Sequence, residues 1–162
     1  MRKSILFLAL IVSISFVSCS NTQFEEDEVY KVAEENYPIL ETEQVAFLKL
    51  VNDYRHFVGL FPLKIDTVVY EYAQTHTSYM ISKDVLSHDN FKDRVDKIII
   101  ETQALAVGEN VAKGRGARNV FKNLLNSTKH HEAIVGDYTH TGISVKLDSN
   151  GVEYYTQIFS KK

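Results

Sequence analysis

Ile143-Ser-Val-Lys-Leu147, Asp148-Ser-Asn-Gly151 and Val152-Glu-Tyr-Tyr-Thr-Gln-Ile-Phe159 are consecutive near the C-terminus, and their reading decides the fold class. The first segment alternates apolar and polar residues, the second is made of turn formers, and the third is rich in β-branched and aromatic residues. Together they predict an antiparallel hairpin. Two strands alone are marginal in water and need a cover. The cover has to come from upstream, where the apolar periodicity is helical, so the chain is expected to form an α+β layered domain.

Working back from the hairpin, Val45, Leu48, Val51 or Asn52, Arg55 and Val58 fall at helical spacing over Glu43 to Gly59, after Thr42, and Gly59 supplies the stop. Pro62 punctuates the chain next. Asp66 is placed to cap a second helix, whose face carries Val69, Tyr72 or Ala73, His76, and Tyr79 or Met80 through about Lys83. Ser87-His88-Asp89-Asn90 reads as a loop, and Phe91 to Gln103 as a third helix with Phe91, Val95, Ile98 and Ile99 on its buried side. Leu105, Val107 and Val111 alternate around Gly108 as a short strand or extended segment, and Gly114 and Gly116 mark a turn. Asn119 to Ser127 is a further helix through Val120, Phe121, Leu124 and Leu125. No repeat, coiled coil, nucleotide loop or dinucleotide fingerprint interrupts the pattern.

At the front, Arg2 and Lys3, the apolar run Ile5 to Val17, and Ser18-Cys19 match the basic, apolar and small-residue regions of a signal peptide. The run is too short for a transmembrane span. Cys19 is the single cysteine of the 162 residues, so no internal disulfide is available and the core must hold the domain. A free thiol would be a liability in an oxidising compartment. The difficulty disappears if Cys19 becomes the first mature residue and is lipidated. Phe16-Val17-Ser18-Cys19 resembles the bacterial lipobox, with Phe16 where Leu is commoner; ordinary secretion with cleavage near Ser18 and an uncleaved anchor are the alternatives. The expected organisation is a signal peptide over 1–18, a lipidated cysteine and acidic tether over 19–40, and one domain over 41–162.

Removing residues 1–18 takes away two positive charges and no negative ones, so the formal net charge moves from −3 to −5. With no Lys/Arg stripe, nucleic acid is excluded as a partner. The expected partner is instead a bacterial membrane, reached through the lipid anchor. Ser20 after the cysteine favours an outer membrane or cell surface, while the oligomeric state stays open.

The six histidines are 56, 76, 88, 130, 131 and 140. His76 lies in the apolar stripe of the second helix and reads as a hydrogen-bonded core residue. His88 stands in a loop, and His130-His131 comes after a helix end marked by Ser127-Thr128-Lys129; both locations suit groups presented from a scaffold. Glu109, between Gly108 and Asn110, either faces solvent or needs a partner such as a histidine, because a lone buried carboxylate is costly. Two histidines and a carboxylate can bind zinc with a water or form an acid–base set, but separations of 21 residues provide no local geometry. The bland alternative is loop capping and surface polarity. His-Glu-x-x-His and Gly-x-Ser-x-Gly are both missing, and a thiol nucleophile is excluded from the domain.

Taken in order, a set of segments resembles the CAP or SCP superfamily (cysteine-rich secretory, antigen 5, pathogenesis-related-1), in its cysteine-poor bacterial branch. The matching pieces are Asn52-Asp-Tyr-Arg55, Gly59-Leu-Phe-Pro-Leu63, Ala73-Gln-Thr-His76-Thr-Ser-Tyr-Met80, Ser87-His88-Asp89, Gly108-Glu109-Asn110-Val111, Leu125-Asn-Ser127-Thr-Lys-His130, Tyr138-Thr-His-Thr-Gly142 and Tyr154-Tyr-Thr-Gln157-Ile-Phe159. They span about residues 42–160. The resemblance implies an α-β-α sandwich with a small central, mainly antiparallel sheet and a surface cleft. Many members carry two histidines and two acidic residues in that cleft. These map to His88, Glu109 and His130, while the second acidic position falls on the uncharged Ser127. Two further departures are Leu124, where bacterial members usually have Trp, and His131, where they usually have Arg, so a guanidinium able to brace the carboxylate is missing there.

The resemblance and the residues together lead to the expectation of a cell-envelope binding module, taking a small ligand, lipid or metal in the His/Glu cleft. His88 and His130 would hold zinc weakly, with Glu109 acting through water or as an acceptor from one ring. The alternatives are a zinc-assisted hydrolase of peptide, ester or glycan that uses Glu109 and the cleft histidines, and a surface interaction protein with a vestigial cleft.

Overall fold

The computed structural model describes residues 41–162; Cys19 and the expected signal peptide and tether lie outside the described residues. In chain order the elements are α1 (Thr42–Phe57), β1 (Lys64–Ile65), α2 (Thr67–Lys83), α3 (Phe91–Thr102), β2 (Ala106–Gly114), α4 (Ala117–Leu125), α5 (Thr128–Ile134), β3 (His140–Leu147) and β4 (Glu153–Lys161). The terminal hairpin is the middle of the sheet, with Val145 opposite Tyr155. β2 pairs antiparallel with β4 along its whole length, and the short β1 pairs parallel with β3, so the strand order is β1-β3-β4-β2. The result is an α-β-α sandwich around a four-stranded, mainly antiparallel sheet.

Each side of the sheet has its own helical cover because β4 is buried on both faces. Tyr155 and Phe159 point to the larger core, where they meet Phe47, Leu48 and Val51 of α1, Phe121 and Leu124 of α4 and Ile134 of α5. Ile158 points the other way, to Val69 and Ala73 of α2 and Ile98 of α3. The period of two along a strand is what divides these sets.

Local signals explain the helix ends. The Asp66 carboxylate accepts from the backbone N–H of Val68 and Val69 at 2.9 and 3.1 Å, capping α2 as the sequence predicts. Gly59 adopts φ +82° just beyond α1, and Leu60 N–H closes back on Arg55 O at 2.8 Å. The buried Arg55 side chain then donates to the carbonyls of Phe61, Ile134, Gly136 and Tyr138 at 2.8–3.0 Å, tying α1 to the end of α5 and the turn before β3.

Several expectations need correction. β2 is a nine-residue strand that runs through Gly108, which lacks a side chain because a Cβ there would lie 2.5 Å from Tyr138 Oη. The fourth helix runs over Ala117–Leu125, starting two residues early after Gly116, and a separate helix comes after it, so His130 and His131 lie within α5 and not after a helix end. In α3 the buried residues are Arg94 and Ile98, whereas Ile99 is 38% exposed and Phe91 and Val95 are half-buried. That rotation lets Arg94 reach a carboxylate on the sheet.

Candidate functional site

β2 is an edge strand, and its consecutive residues Glu109 and Asn110 leave it on opposite faces. Their cross-strand partners identify the faces. Glu109 lies opposite Ile158 and points toward α2 and α3, while Asn110 lies opposite Gln157 and points toward α5. Asn110 Nδ2 donates to the carbonyl of His130 at 3.0 Å, which fixes α5 against the edge.

The Glu109 side chain is 1% exposed. Arg94 donates to it twice, from Nε to Oε2 at 2.9 Å and from Nη2 to Oε1 at 2.8 Å, and His88 Nδ1 lies 2.9 Å from Oε1. A third group, His76 Nε2, sits 3.9 Å from Oε1 and bonds instead to Ser87 O at 2.8 Å. Arg94 also donates from Nη1 to Asp89 O at 2.6 Å. The residues before and after His88 are therefore both pinned, one by His76 and the other by Arg94.

This arrangement sets the chemistry of His88. An ionised carboxylate only accepts, so Nδ1 carries a proton, and in the neutral ring the lone pair then falls on Nε2, on a ring that is half exposed. His130, half-buried in α5, approaches from the other side of the edge strand. Burial holds its pKa below the usual histidine range, and the nearby His88 lowers it further. The structure thus joins His88 directly to Glu109 and places His130 near His88, but His130 is not among the groups bonded to the carboxylate.

His131 turns away to the Tyr54 hydroxyl, with Nε2 2.9 Å from Oη. Leu124 is buried in the larger core, and Ser127 is the residue before α5, its carbonyl accepting from His131 N–H at 2.8 Å. The guanidinium missing at position 131 is supplied by Arg94. Its signal was available: Arg94 is three residues after Phe91 and four before Ile98, on the apolar stripe, where a charge requires a partner.

Among the described residues no three His, Cys, Asp or Glu converge as metal ligands. A metal ion would rely on the lone pairs of His88 and His130, with the rest of its shell from outside the protein, and Glu109 behind His88 as the acceptor that orients it. Both Glu109 oxygens are already engaged, which suits orientation better than activation of water.

A three-layer domain with a carboxylate-ordered histidine at its open sheet edge defines an α-β-α sandwich class. The model of CAP, the cysteine-rich secretory protein family, matches residues 48–159, and the chain belongs to that family. No curated protein sequence matches the chain. Among solved structures, an outer surface protein of Borrelia burgdorferi is 20% identical with a TM-score of 0.68, covering 76% of this chain and 96% of that one. A cysteine-rich secretory protein of Staphylococcus aureus is 22% identical (TM-score 0.62), over 74% of this chain and 39% of that one. An extracellular SCP-domain protein of Bacillus anthracis is 22% identical (TM-score 0.63), over 85% and 44%. This chain therefore corresponds to less than half of the last two, and all three show the fold alone. Among the described residues, no helix is long and apolar enough to cross a membrane.

Proposed function

We propose that this CAP-domain protein is exported, held at the cell envelope through a lipidated Cys19, and binds a small ligand or metal ion at the cleft of His88, Glu109 and His130. The observation that carries the reading is the 2.9 Å contact between His88 Nδ1 and a buried, Arg94-paired Glu109, which leaves His88 Nε2 as an oriented electron-pair donor. His130, neutral near pH 7 because of its burial, offers a second donor nearby. Two imidazoles and open solvent suit a weak, exchangeable zinc site or a ligand with an acidic N–H or O–H.

Calorimetric titration of the mature chain with zinc, and separately with a fatty acid as the lipid probe, tests this. The reading expects saturable binding at pH 7.5 that is lost in both His88→Ala and His130→Ala. Saturable binding that survives both substitutions, or none at high micromolar probe, would reject the cleft as the site. The anchor is tested separately by the mass of the mature N-terminus, which must carry acyl groups on Cys19.

A further inference from the structure

α2 and α3 enclose an open groove of about 310 Å³ on the far side of the groups that hold Glu109. The size is at the low end of the roughly 300–1,000 Å³ of small-ligand sites. Its two walls differ in chemistry. From α2 come Tyr72 and Tyr79, seven residues and so about 10 Å apart on one stripe. From the start and first turns of α3 come Asn90, Asp93 and Lys97, all exposed. The floor is His76 and Arg94, both buried.

We propose that this groove is a second binding site, distinct from the His88 cleft, and that it takes a short neutral glycan. A sugar ring has an apolar C–H face and hydroxyls around its edge, so it needs an aromatic surface on one side and mixed donors and acceptors on the other. The groove presents that pairing. Most of its exposed lining is apolar, and it is open at the top, so a sugar can lie along it with its hydroxyls reaching Asn90, Asp93 and Lys97.

Charge supports a neutral ligand over an anionic one. Asp93 and Lys97 offset each other, and Arg94 is already paired with Glu109. Burial lowers the pKa of His76 and keeps that ring uncharged near neutral pH. Lys97 is the lining cation outside the Arg94–Glu109 pair, and Asp93 one turn before it leaves the exposed lining without net charge, which disfavours a carboxylate or phosphate head. The aromatic wall is also fixed before any ligand arrives. The Tyr72 hydroxyl donates to Glu101 at 2.5 Å and the Tyr79 hydroxyl to Asp89 at 2.9 Å, while the Tyr79 ring stacks on His76 with centroids 5.9 Å apart and planes 14° from parallel. Side chains held in this way lose little freedom on binding.

The test is a titration of the mature chain with the β-1,4 N-acetylglucosamine tetramer and with maltotetraose, with laurate as the lipid control, monitored by amide NMR. The proposal expects saturable shifts centred on residues 72–79 and 90–97 with at least one tetrasaccharide. Binding should weaken by about tenfold or more in Tyr72→Ala and in Tyr79→Ala. It should be retained in Tyr72→Phe, which keeps the ring, and in His88→Ala. Asp93→Ala, an exposed change that touches neither core, should also weaken it and covers the case in which a tyrosine variant misfolds. The proposal is overturned if neither sugar saturates by roughly 10 mM or if laurate alone moves these residues. It is also overturned if sugar binding survives both Tyr→Ala changes but disappears in His88→Ala, which would assign the sugar to the cleft.

Discussion

Arg94 and Glu109 form a two-point ion pair across the α3–β2 contact, at 2.9 and 2.8 Å, with the Glu109 side chain 1% exposed. The pair joins a helix to the edge strand, and through Asp89 O it also sets the loop that carries His88. A buried charge that loses its partner is costlier than the pair is stabilising. This asymmetry gives the first prediction.

Arg94→Ala leaves the Glu109 carboxylate buried with only histidine partners and should cost about 3–5 kcal/mol. Adding Glu109→Gln removes the stranded charge, so the double variant should be more stable than Arg94→Ala alone. Urea midpoints of the wild type, both single variants and the double variant complete the cycle. A double variant less stable than Arg94→Ala would mean that the carboxylate is not stranded.

Arg55 should be irreplaceable by lysine. Its guanidinium serves four carbonyls on two separate segments, and a single ammonium cannot span them. Arg55→Lys should lower stability by roughly 2–4 kcal/mol, and hydrogen exchange should quicken around residues 134–138 ahead of the sheet. Uniform exchange across the domain would contradict the local role.

Two glycines separate packing from backbone conformation. A Cβ on Gly142 would fall 2.5 Å from Val69 O and closer still to Tyr70 N, so α2 would have to lift off the sheet. Gly142→Ala should cost roughly 3 kcal/mol or more. Gly151, at φ +69° in the hairpin turn, has open space around it, and its replacement by Ala should cost only about 1–2 kcal/mol. Thermal denaturation of the two variants should show Gly142→Ala well below Gly151→Ala, and the reverse order would refute the packing argument.

The pH dependence arises from three depressed histidines. Burial is the main cause of the lowered pKa at His76, His130 and His140. The unfolded chain then binds more protons than the native one as pH falls through about 6.5, so stability decreases there. The loss continues down to the lowered native values and levels off below them. Urea midpoints at pH 7.5, 6.5 and 5.5 should fall in that order, with a shallower fall in His130→Ala. A flat or rising series would contradict the burial of these rings.

Much of this was legible in the sequence because it depends on local chemistry. Asp66 as the α2 cap, Gly59 beyond α1 and the terminal hairpin are all set by residue type and spacing. The resemblance to CAP proteins supplied His88, Glu109 and His130 as a set. The features that stayed hidden depend on the sheet. β1 has two residues and exists only through its pairing with β3, and β2 hides its length because Gly108 serves a tertiary contact with Tyr138. The opposite exits of Glu109 and Asn110, which put His130 across the edge from the carboxylate, become visible only once the partners of β2 are known. Arg94 could have been found from its place on an apolar stripe, but its partner lies 15 residues away on another element.

Glu109 holds the His88 ring through Nδ1, which directs Nε2 outward. The most direct test is ¹⁵N NMR of the His88 ring nitrogens in the protein near pH 7.5, with Glu109→Gln for comparison. A protonated Nδ1 and an unprotonated Nε2 are expected in the wild type, with that preference weakened or lost in Glu109→Gln. A wild-type His88 with its proton on Nε2, or a Glu109→Gln spectrum with the same tautomer preference, would contradict it.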